Sequence, residues 1–554
     1  MRKSDRGRRR NVLRLLVEKA GVMILAAVAL ACSAPTPAPE PPPAAEQVTR
    51  GGTFVFGARG GAQHLNWYAE MGGAAGVTFG PIYEPLVNFD YQPGKDFRAD
   101  FKVVPWLAES WQRTDDTTYV FKIRPNAVWH DGQPVTAADV LFSYEYLRDP
   151  KNNFIRRSQL DSVDKIEQID QKTVRMTTRG IAPGLLRELA EPSVSIYAKH
   201  VGESGRKYEE VAIASGPFKL ESYSRATGAT YVKNEQHWMS GSPYIDRIKV
   251  TWPLDNSALL AAFATGQNDI LQLQDIPQLD TAKAIAPNIQ YGEYVSDNED
   301  ALYMRVDRRP FNDVRVRRAI HLTVDRQGLM GIIMQGKGVL NPPAMNGART
   351  GWVIPQEELA KLPGYRQPKE QDIAEAKRLL AEAGYPQGLK FELKYNQTHS
   401  RTPRWSEVVS EQLRAAGIQA ELKPLERGAF TRDQKEGNFD AILNTIGKFE
   451  PLADWRAAFH SKGGLNGGQI KDPDLDRLLD QLDTTVDDET GKRIFIDFQR
   501  LLLDRVYAVS TASPIAFAAW QPWVKDYVFN AAGQSYPRNW AILKLDLNKV
   551  PKDR

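Results

Sequence analysis

Residues 372–422 read DIAEAKRLLAEAGYPQGLKFELKYNQTHSRTPRWSEVVSEQLRAAGIQAEL. Ile373, Ala376, Leu379, Leu380 and Ala383 recur at helical spacing, which predicts a helix over 372–383 that stops at Gly384 with Pro386 beyond it. Leu389, Phe391, Leu393 and Tyr395 then alternate with Lys390, Glu392 and Lys394, the period of two that marks a strand. A second helix follows from about Arg404 to Ala416, ended by Gly417, and Ile418–Leu422 returns as a strand. Strand, helix, strand implies a right-handed crossover in a largely parallel sheet. Phe439–Leu443 is a further apolar strand, so residues from about 305 to 510 read as one α/β lobe.

Toward the amino terminus the pattern changes. Gly51–Gly57 reads as a first strand, with Gly60-Gly61 supplying a turn. Trp111–Thr114 and Tyr119–Ile123 flank Asp115-Asp116 as a hairpin, and Val128–Pro134 is a turn-rich link. That link feeds Thr136-Ala137-Ala138-Asp139, a capping-box pattern at the start of an apolar helix. No internal repeat and no second low-complexity segment follow Arg50. With 554 residues, 42% hydrophobic and 25% charged, the chain can bury a large core and is neither disordered nor fibrous. At roughly 150 residues per domain it holds about three or four packing units. Its 12 Trp, 20 Tyr and 21 Phe suit an aromatic-rich cleft.

The net charge of +4 is uneven. Residues 1–31 carry Arg2, Lys3, Arg6, Arg8, Arg9, Arg10, Arg14 and Lys19 against Asp5 and Glu18, so the remainder is slightly acidic. The basic character belongs to the leader, which removes the argument for nucleic-acid binding. Gly21–Ala31 is an uncharged run of 11 residues. It rises only about 16 Å as a helix, against a hydrocarbon core of about 30 Å, so residues 1–31 read as a signal peptide. Small residues before Cys32, the only cysteine, resemble the lipobox of bacterial lipoproteins, although Ala29 stands where Leu is usual; an ordinary cleavage site near Ala31 is the alternative. Arg9-Arg10-Asn11-Val12-Leu13 fits either a twin-arginine signal or a basic n-region. Pro35, Pro37, Pro39, Pro41, Pro42 and Pro43 make residues 32–50 a semi-rigid tether behind a lipidated Cys32. A soluble domain on such a tether is expected in the periplasm or outside the cytoplasm, anchored to a membrane.

Catalytic and metal motifs are decoys. Gly331–Lys337 has phosphate-loop spacing, but Gly338 stands where a hydroxyl should hold Mg²⁺, and a helix ending at a glycine turn is the better reading. Asp472, Asp474 and Asp476 alternate like a calcium loop, yet Pro473 and Arg477 break it; an Asp cap with proline at the first helical position fits. His64, His130, His200, His237, His321, His399 and His460 are scattered without an HExxH pair, and no Gly-x-Ser-x-Gly occurs. No cofactor, metal or catalytic residue is expected.

Several blocks together resemble the family 5 extracellular solute-binding proteins, the peptide, dipeptide and nickel binding components of ABC importers. They are Ile82–Val87, Pro105–Trp111 with Tyr119–Arg124 and His130–Val140, Ser215–Phe218 with Asn234–Trp238 and Pro243–Asp246, and Pro310–Ala319, in the family's order. The resemblance implies a two-lobe, type II periplasmic-binding-protein-like fold with hinge strands and a subdomain inserted in the first lobe. Mapped here, the first lobe comprises 51–85, 216–302 and 513–554, the insert 86–215, and the second lobe 303–512. Ligand held between lobes favours the closed form. The partners implied are a peptide or other small solute and membrane permease subunits, with the chain itself a monomer.

Ligand contacts are expected from loops facing the cleft: Asn66, Trp67 and Tyr68; Trp405; and Asn444, Lys448, Glu450, Asp454 and Trp455. Trp67 and Trp405 read equally as core aromatics. Peptide-binding relatives carry an Asp three residues before an acidic-Pro pair, where it holds the ligand's amine; aligning Glu450-Pro451 with that pair puts Gly447 there. Glu450 or Asp454 then substitutes, or the ligand is not a peptide. His130, Asp131 and Gly132 read as a turn. The leading expectation is a non-enzymatic importer receptor for a peptide or similar amphipathic solute. An oligosaccharide or glycoside receptor, and in another class a secreted hydrolase, are the alternatives.

Overall fold

The computed structural model describes residues 50–58, 60–69, 73–90, 102–152, 154, 157–252, 255–273, 276–296, 298–343, 351–399, 401–447, 451–463, 465–529 and 537–552. The leader, Cys32 and the rest of the tether before Arg50 lie outside them, as do Lys448 and Glu450; of Asp454 only the backbone is described. All that follows belongs to the compact unit Thr49–Arg554.

Three sheets organise the chain. The first has eight strands, in the order Gln290–Val295, Ala512–Trp520, Ile270–Leu273, Thr53–Gly57, Arg247–Thr251, Gly228–Lys233 and Phe218–Ser224, with Gly338–Leu340 attached to Ala512–Trp520. Thr53–Gly57 is parallel to both of its neighbours. Its inward residues Phe54 and Phe56 are fully buried against Trp540. The second sheet is antiparallel and takes the order Ala108–Arg113, Thr118–Ile123, Thr173–Thr178 and Val163–Gln168. The helix Ala137–Arg148 follows, with the Asp139 carboxylate accepting from the Thr136 N–H (2.8 Å) and Oγ1 (2.7 Å), as the capping pattern predicts. One continuous hydrophobic core joins this second sheet to the first.

The third sheet holds the stretch from which the reading began. Its order is Ile418–Leu425, Leu389–Asn396, Ala441–Gly447, Asn298–Met304 and Ala508–Ser510. The predicted helix at 372–383 is Glu370–Glu382, and the next is Thr402–Leu413 with a 3-10 turn over Arg414–Ala416. Leu389–Asn396 and Ile418–Leu425 are parallel neighbours. They start so close together that a Cβ on Gly388, at φ +103°, would lie 2.4 Å from the Gly417 carbonyl oxygen. The last strand starts at Ala441 rather than Phe439, because Phe439 packs with Phe430 and Ile442 in a satellite core.

The chain passes between the first and third sheets between Val295 and Asn298, and again at Thr511. The earlier passage precedes residue 302, because Asn298–Met304 pairs wholly within the third sheet. The two passages are bonded to each other. Thr511 donates its Oγ1 (2.8 Å) and N–H (3.3 Å) to the Asp300 carbonyl, and the Ser296 N–H donates to Pro514 (2.9 Å). The sheets therefore share a pair of strands on which they can hinge.

Candidate functional site

In the third sheet Leu389–Asn396 lies between Ile418–Leu425 and Ala441–Gly447, parallel to both. The chain leaves it to one side through Thr402–Leu413 and crosses back to the other through Arg427–Glu436. The carboxyl ends at Asn396 and Gly447 thus flank a topological switch point, where open α/β sheets leave a crevice for ligands. Arg401 stands there. Its Nη2 lies 3.2 Å from Oδ2 of Asp300, a 1% exposed carboxylate on the strand Asn298–Met304, just after the passage between sheets. Among the described residues the buried Arg401 Nε has no hydrogen-bond partner, although a guanidinium carries five donors. Burial first, and the Arg401 charge second, push the neighbouring His399 imidazole below its ordinary pKa. His399 Nδ1 accepts from the Arg401 N–H (3.3 Å). Asn444, nearly buried, pairs with Ala301 beside Asp300. The carboxyl end of the sheet therefore carries one cationic fork paired on one side with Asp300, with its Nε left over for an anionic or carbonyl group.

A cavity of about 510 Å³ lies between the second sheet's subdomain and the lobe of the third sheet, within the range of small-ligand sites. Its subdomain wall carries Asp161, Arg179, Ile181, Pro183 and Leu185; its facing wall carries Arg456, His460, Lys462, Leu482 and Asp483. Arg456 bonds Asp480 (2.8 Å) and Asp483 (2.5 Å). Burial pushes the Asp483 carboxyl up, and Arg456 opposes that shift. Among the described residues no Trp, Tyr or Phe lines this cavity. A larger cavity of about 770 Å³ on the outer side of the same lobe is rimmed by Arg318, Arg366, Arg378 and Arg500. Each of these already pairs with a carboxylate of the protein, at Asp504, Asp372, Glu375 and Glu358 respectively.

The residues expected from sequence fall into separate places. Asn66 donates to Glu209 Oε1 (3.0 Å), and the Trp67 N–H donates to Tyr197 (2.8 Å). Tyr68 stacks on Tyr197 at 3.9 Å and donates to the Ser195 carbonyl, and burial holds its phenol well above the ordinary pKa. Trp67, Tyr68, Trp405 and Trp455 are all buried in hydrophobic cores, Trp455 against Phe495 at 4.2 Å. Trp67 and Tyr68 share one core while Trp405 and Trp455 lie in two others, so these buried rings present no common face for a ligand to stack on. Helical and strand periodicity puts aromatics inward, which favours the core reading of Trp67 and Trp405 over the stacking one. No local pattern links Arg401 to Asp300, because 101 residues separate them.

The conspicuous block His130–Val140 is scaffold. His130 Nε2 lies 3.1 Å from the Gly216 carbonyl and its Nδ1 accepts from Ala214 (3.4 Å); burial lowers its pKa to about 3. Gly132 turns at φ +88°, as the expected turn requires. Nearby, the fully buried Glu84 carboxylate accepts from Ser215 Oγ (2.8 Å) and Trp238 Nε1 (3.0 Å), with His237 Nε2 at 3.1 Å. The decoys also resolve locally. Arg326–Met334 ends at Gln335 and Gly336, both left-handed, and Asp472 caps Pro473–Thr484. Among the described residues no group of His, Cys, Asp and Glu is arranged to hold a metal, and no helix is long and apolar enough to cross a membrane.

Two lobes hinged on paired strands, with an extra subdomain on the first, are the architecture of type II periplasmic binding proteins. Residues 102–464 match the model of the bacterial extracellular solute-binding proteins, family 5, and the chain belongs to that family. It is 23% identical to heme-binding protein A of Haemophilus influenzae over 488 residues, covering 82% of this chain and 85% of that protein. It is 24% identical to di/tripeptide-binding protein 1 of Pseudomonas aeruginosa over 488 residues, covering 82% and 87%. In structure it is similar to the ABC transporter substrate-binding protein CtaP of Listeria monocytogenes (TM-score 0.76, 20% identity, 90% of this chain and 100% of that one). It is also similar to DppA of Helicobacter pylori in complex with the peptide STSA (TM-score 0.72, 22% identity, 90% and 99%). The family's members are extracytoplasmic binding proteins of ABC importers, and its relatives bind rather than transform their ligands.

Proposed function

We propose that this substrate-binding protein captures a short peptide, or a similarly sized amphipathic solute with an acidic group, in the cleft between its lobes. It then hands that ligand to a membrane permease, as a monomer held to the membrane by lipid on Cys32. The observation that carries the ligand reading is the buried, unpartnered Nε of Arg401 at the switch point. A buried donor without an acceptor costs about 1–3 kcal/mol, which a ligand carboxylate or carbonyl would relieve. The di/tripeptide-binding and peptide-complexed relatives support the same class. Glu450 or Asp454 enters this reading as the counter-charge to the ligand's amine. A sugar receptor is disfavoured because Trp67, Trp405 and Trp455 are buried and, among the described residues, the interlobe cavity is lined by no Trp, Tyr or Phe.

The test is calorimetry on the form starting at Arg50, with free di- to tetrapeptides, their carboxyl-amidated forms and malto-oligosaccharides. Free peptides should bind best, and Arg401→Gln should weaken them about 10- to 100-fold, the range of a charge-assisted hydrogen bond. Equal binding of amidated peptides, or an unaffected Arg401→Gln, would remove Arg401 from recognition.

A further inference from the structure

On the second passage between the sheets, the strand Ala512–Trp520 changes lobe partway along. Ala512 is buried in the core of the third sheet's lobe, whereas Ile515 packs on the core beneath the first sheet with Leu271 and Phe517. The strand Gly338–Leu340 follows the helix Arg326–Met334 of the third sheet's lobe and pairs with Ala512, Ser513 and Pro514. Its residue Leu340 packs with Ile354, Leu359 and Tyr365, which belong to that lobe as well.

The residues before Pro514 are gripped from the same side. The Asn341 N–H donates to the Thr511 carbonyl (3.0 Å) and Asn341 Nδ2 to Ser513 Oγ (3.0 Å). The Tyr365 hydroxyl donates to the Asn341 carbonyl (2.8 Å). The buried Arg326 guanidinium lies 4.1 Å from the centre of the Tyr365 ring, and it donates from Nε to the Ser510 carbonyl (2.8 Å) and from Nη1 to Gly364 (2.5 Å). A buried network of this kind is rigid, so residues 510–513 move with the third sheet's lobe. Pro514 then has no N–H to give to a ladder. Past it, Lys337 reaches from the gripping side to the first sheet. Its carbonyl accepts from the Ile515 N–H at 3.4 Å, and its Nζ pairs at 3.1 Å with Glu293 on the strand Gln290–Val295.

We infer that this strand bends between Pro514 and Ile515 rather than at Thr511, and that Lys337 is a latch across that pivot. Rotation there carries Gly338–Leu340 and residues 510–513 as one piece and stretches both links of Lys337 to the first sheet. The ion pair with Glu293 therefore favours the setting of the lobes in which it is closed, because a contact made in one setting and lost in the other shifts the equilibrium between them. The latch acts on the lobes whatever the cleft holds, so it does not depend on peptide recognition.

The form starting at Arg50 lacks Cys32, the only cysteine. Spin labels on Lys249→Cys in the first sheet and Gln419→Cys in the third, both exposed, then report the interlobe distance by pulsed electron paramagnetic resonance. Without added ligand and at low salt, Lys337→Glu or Glu293→Lys should each change the ratio of interlobe settings about fivefold, the factor that about 1 kcal/mol of exposed ion pairing gives. The double reversal should restore the parent ratio, and Arg378→Glu, which breaks ion pairs inside one lobe, should leave it unchanged. Single reversals that match the parent, or a double reversal that does not restore it, overturn the latch. Hydrogen exchange of the unsubstituted protein, read by mass spectrometry with fragmentation to single residues, tests the pivot. The Ile515 amide should exchange about tenfold faster than the Asn341 amide, since local opening breaks the bond across the pivot first. An Asn341 amide as fast as that of Ile515 would put the bend at Thr511 and overturn the assignment. Failure of peptide binding would leave both readouts untouched, which separates them from the proposed ligand class.

Discussion

Replacing Glu84 with alanine should loosen the joint between the inserted subdomain and the first lobe. Glu84 sits where the chain leaves the first lobe, Ser215 where it returns, and His237 and Trp238 within the first lobe itself. One fully buried carboxylate therefore gathers three donors from two other segments. Hydrogen bonds to a charged group contribute about 1.5–3 kcal/mol each, but those that share an acceptor do not add. Removing one side of a buried charged cluster costs about 3–5 kcal/mol, and the donors left behind have no water to turn to. We expect Glu84→Ala to lose about 4 kcal/mol and Glu84→Gln about half as much, since an amide keeps one acceptor oxygen. Against a typical total of about 5–15 kcal/mol this is severe. Urea unfolding of the Arg50–Arg554 form, followed by tryptophan fluorescence with Trp238 inside the cluster, measures the loss. Limited proteolysis should cut first near residues 84–90 and 211–217. A Glu84→Ala protein within 1 kcal/mol of the parent would refute the claim that this carboxylate holds the joint.

Other consequences follow from neighbouring residues. His130 has a pKa of about 3 in the folded protein against about 6.5 unfolded. Above pH 6.5 both states are neutral and it has no effect; below that the unfolded chain gains a proton first, so stability falls by about 1.4 kcal/mol per pH unit toward pH 3. His130→Gln should flatten that part of a pH–melting curve, and an unchanged slope would contradict it. Gly216→Ala should cost about 1–3 kcal/mol, because a Cβ would lie 2.4 Å from the Ile82 carbonyl oxygen; chemical denaturation would show it. Trp405→Phe should lower stability while leaving ligand preference unchanged in competition binding, since the indole is core and its Nε1 has no partner.

Local pattern made the second lobe legible. The helix at Glu370–Glu382 and the strands at Leu389 and Ile418 follow from periodicity and from the glycines that end them, all within 51 residues. The capped helix at Ala137 was equally plain, because Thr136 and Asp139 are neighbours. The eight-stranded sheet was not, because Thr53–Gly57 pairs with strands nearly 200 residues away and Ala512–Trp520 returns from the end of the chain to lie between Gln290–Val295 and Ile270–Leu273. No local period encodes such partners. The same reason hid Arg401 and Asp300, which only the folding of the third sheet brings together. Aromatic residues misdirected the search for the site: Trp67, Trp405 and Trp455 are large enough to recognise a ligand, and for the same reason are what a core buries first.

The central claim is that the cleft of this family 5 protein holds a short peptide or a solute like it. Native mass spectrometry of the Arg50–Arg554 form, purified without added ligand and then extracted under denaturing conditions, tests it most directly. The account predicts a ladder of short peptide masses released from the protein. A discrete glycan, or an empty protein that then binds no member of a peptide panel, would contradict it.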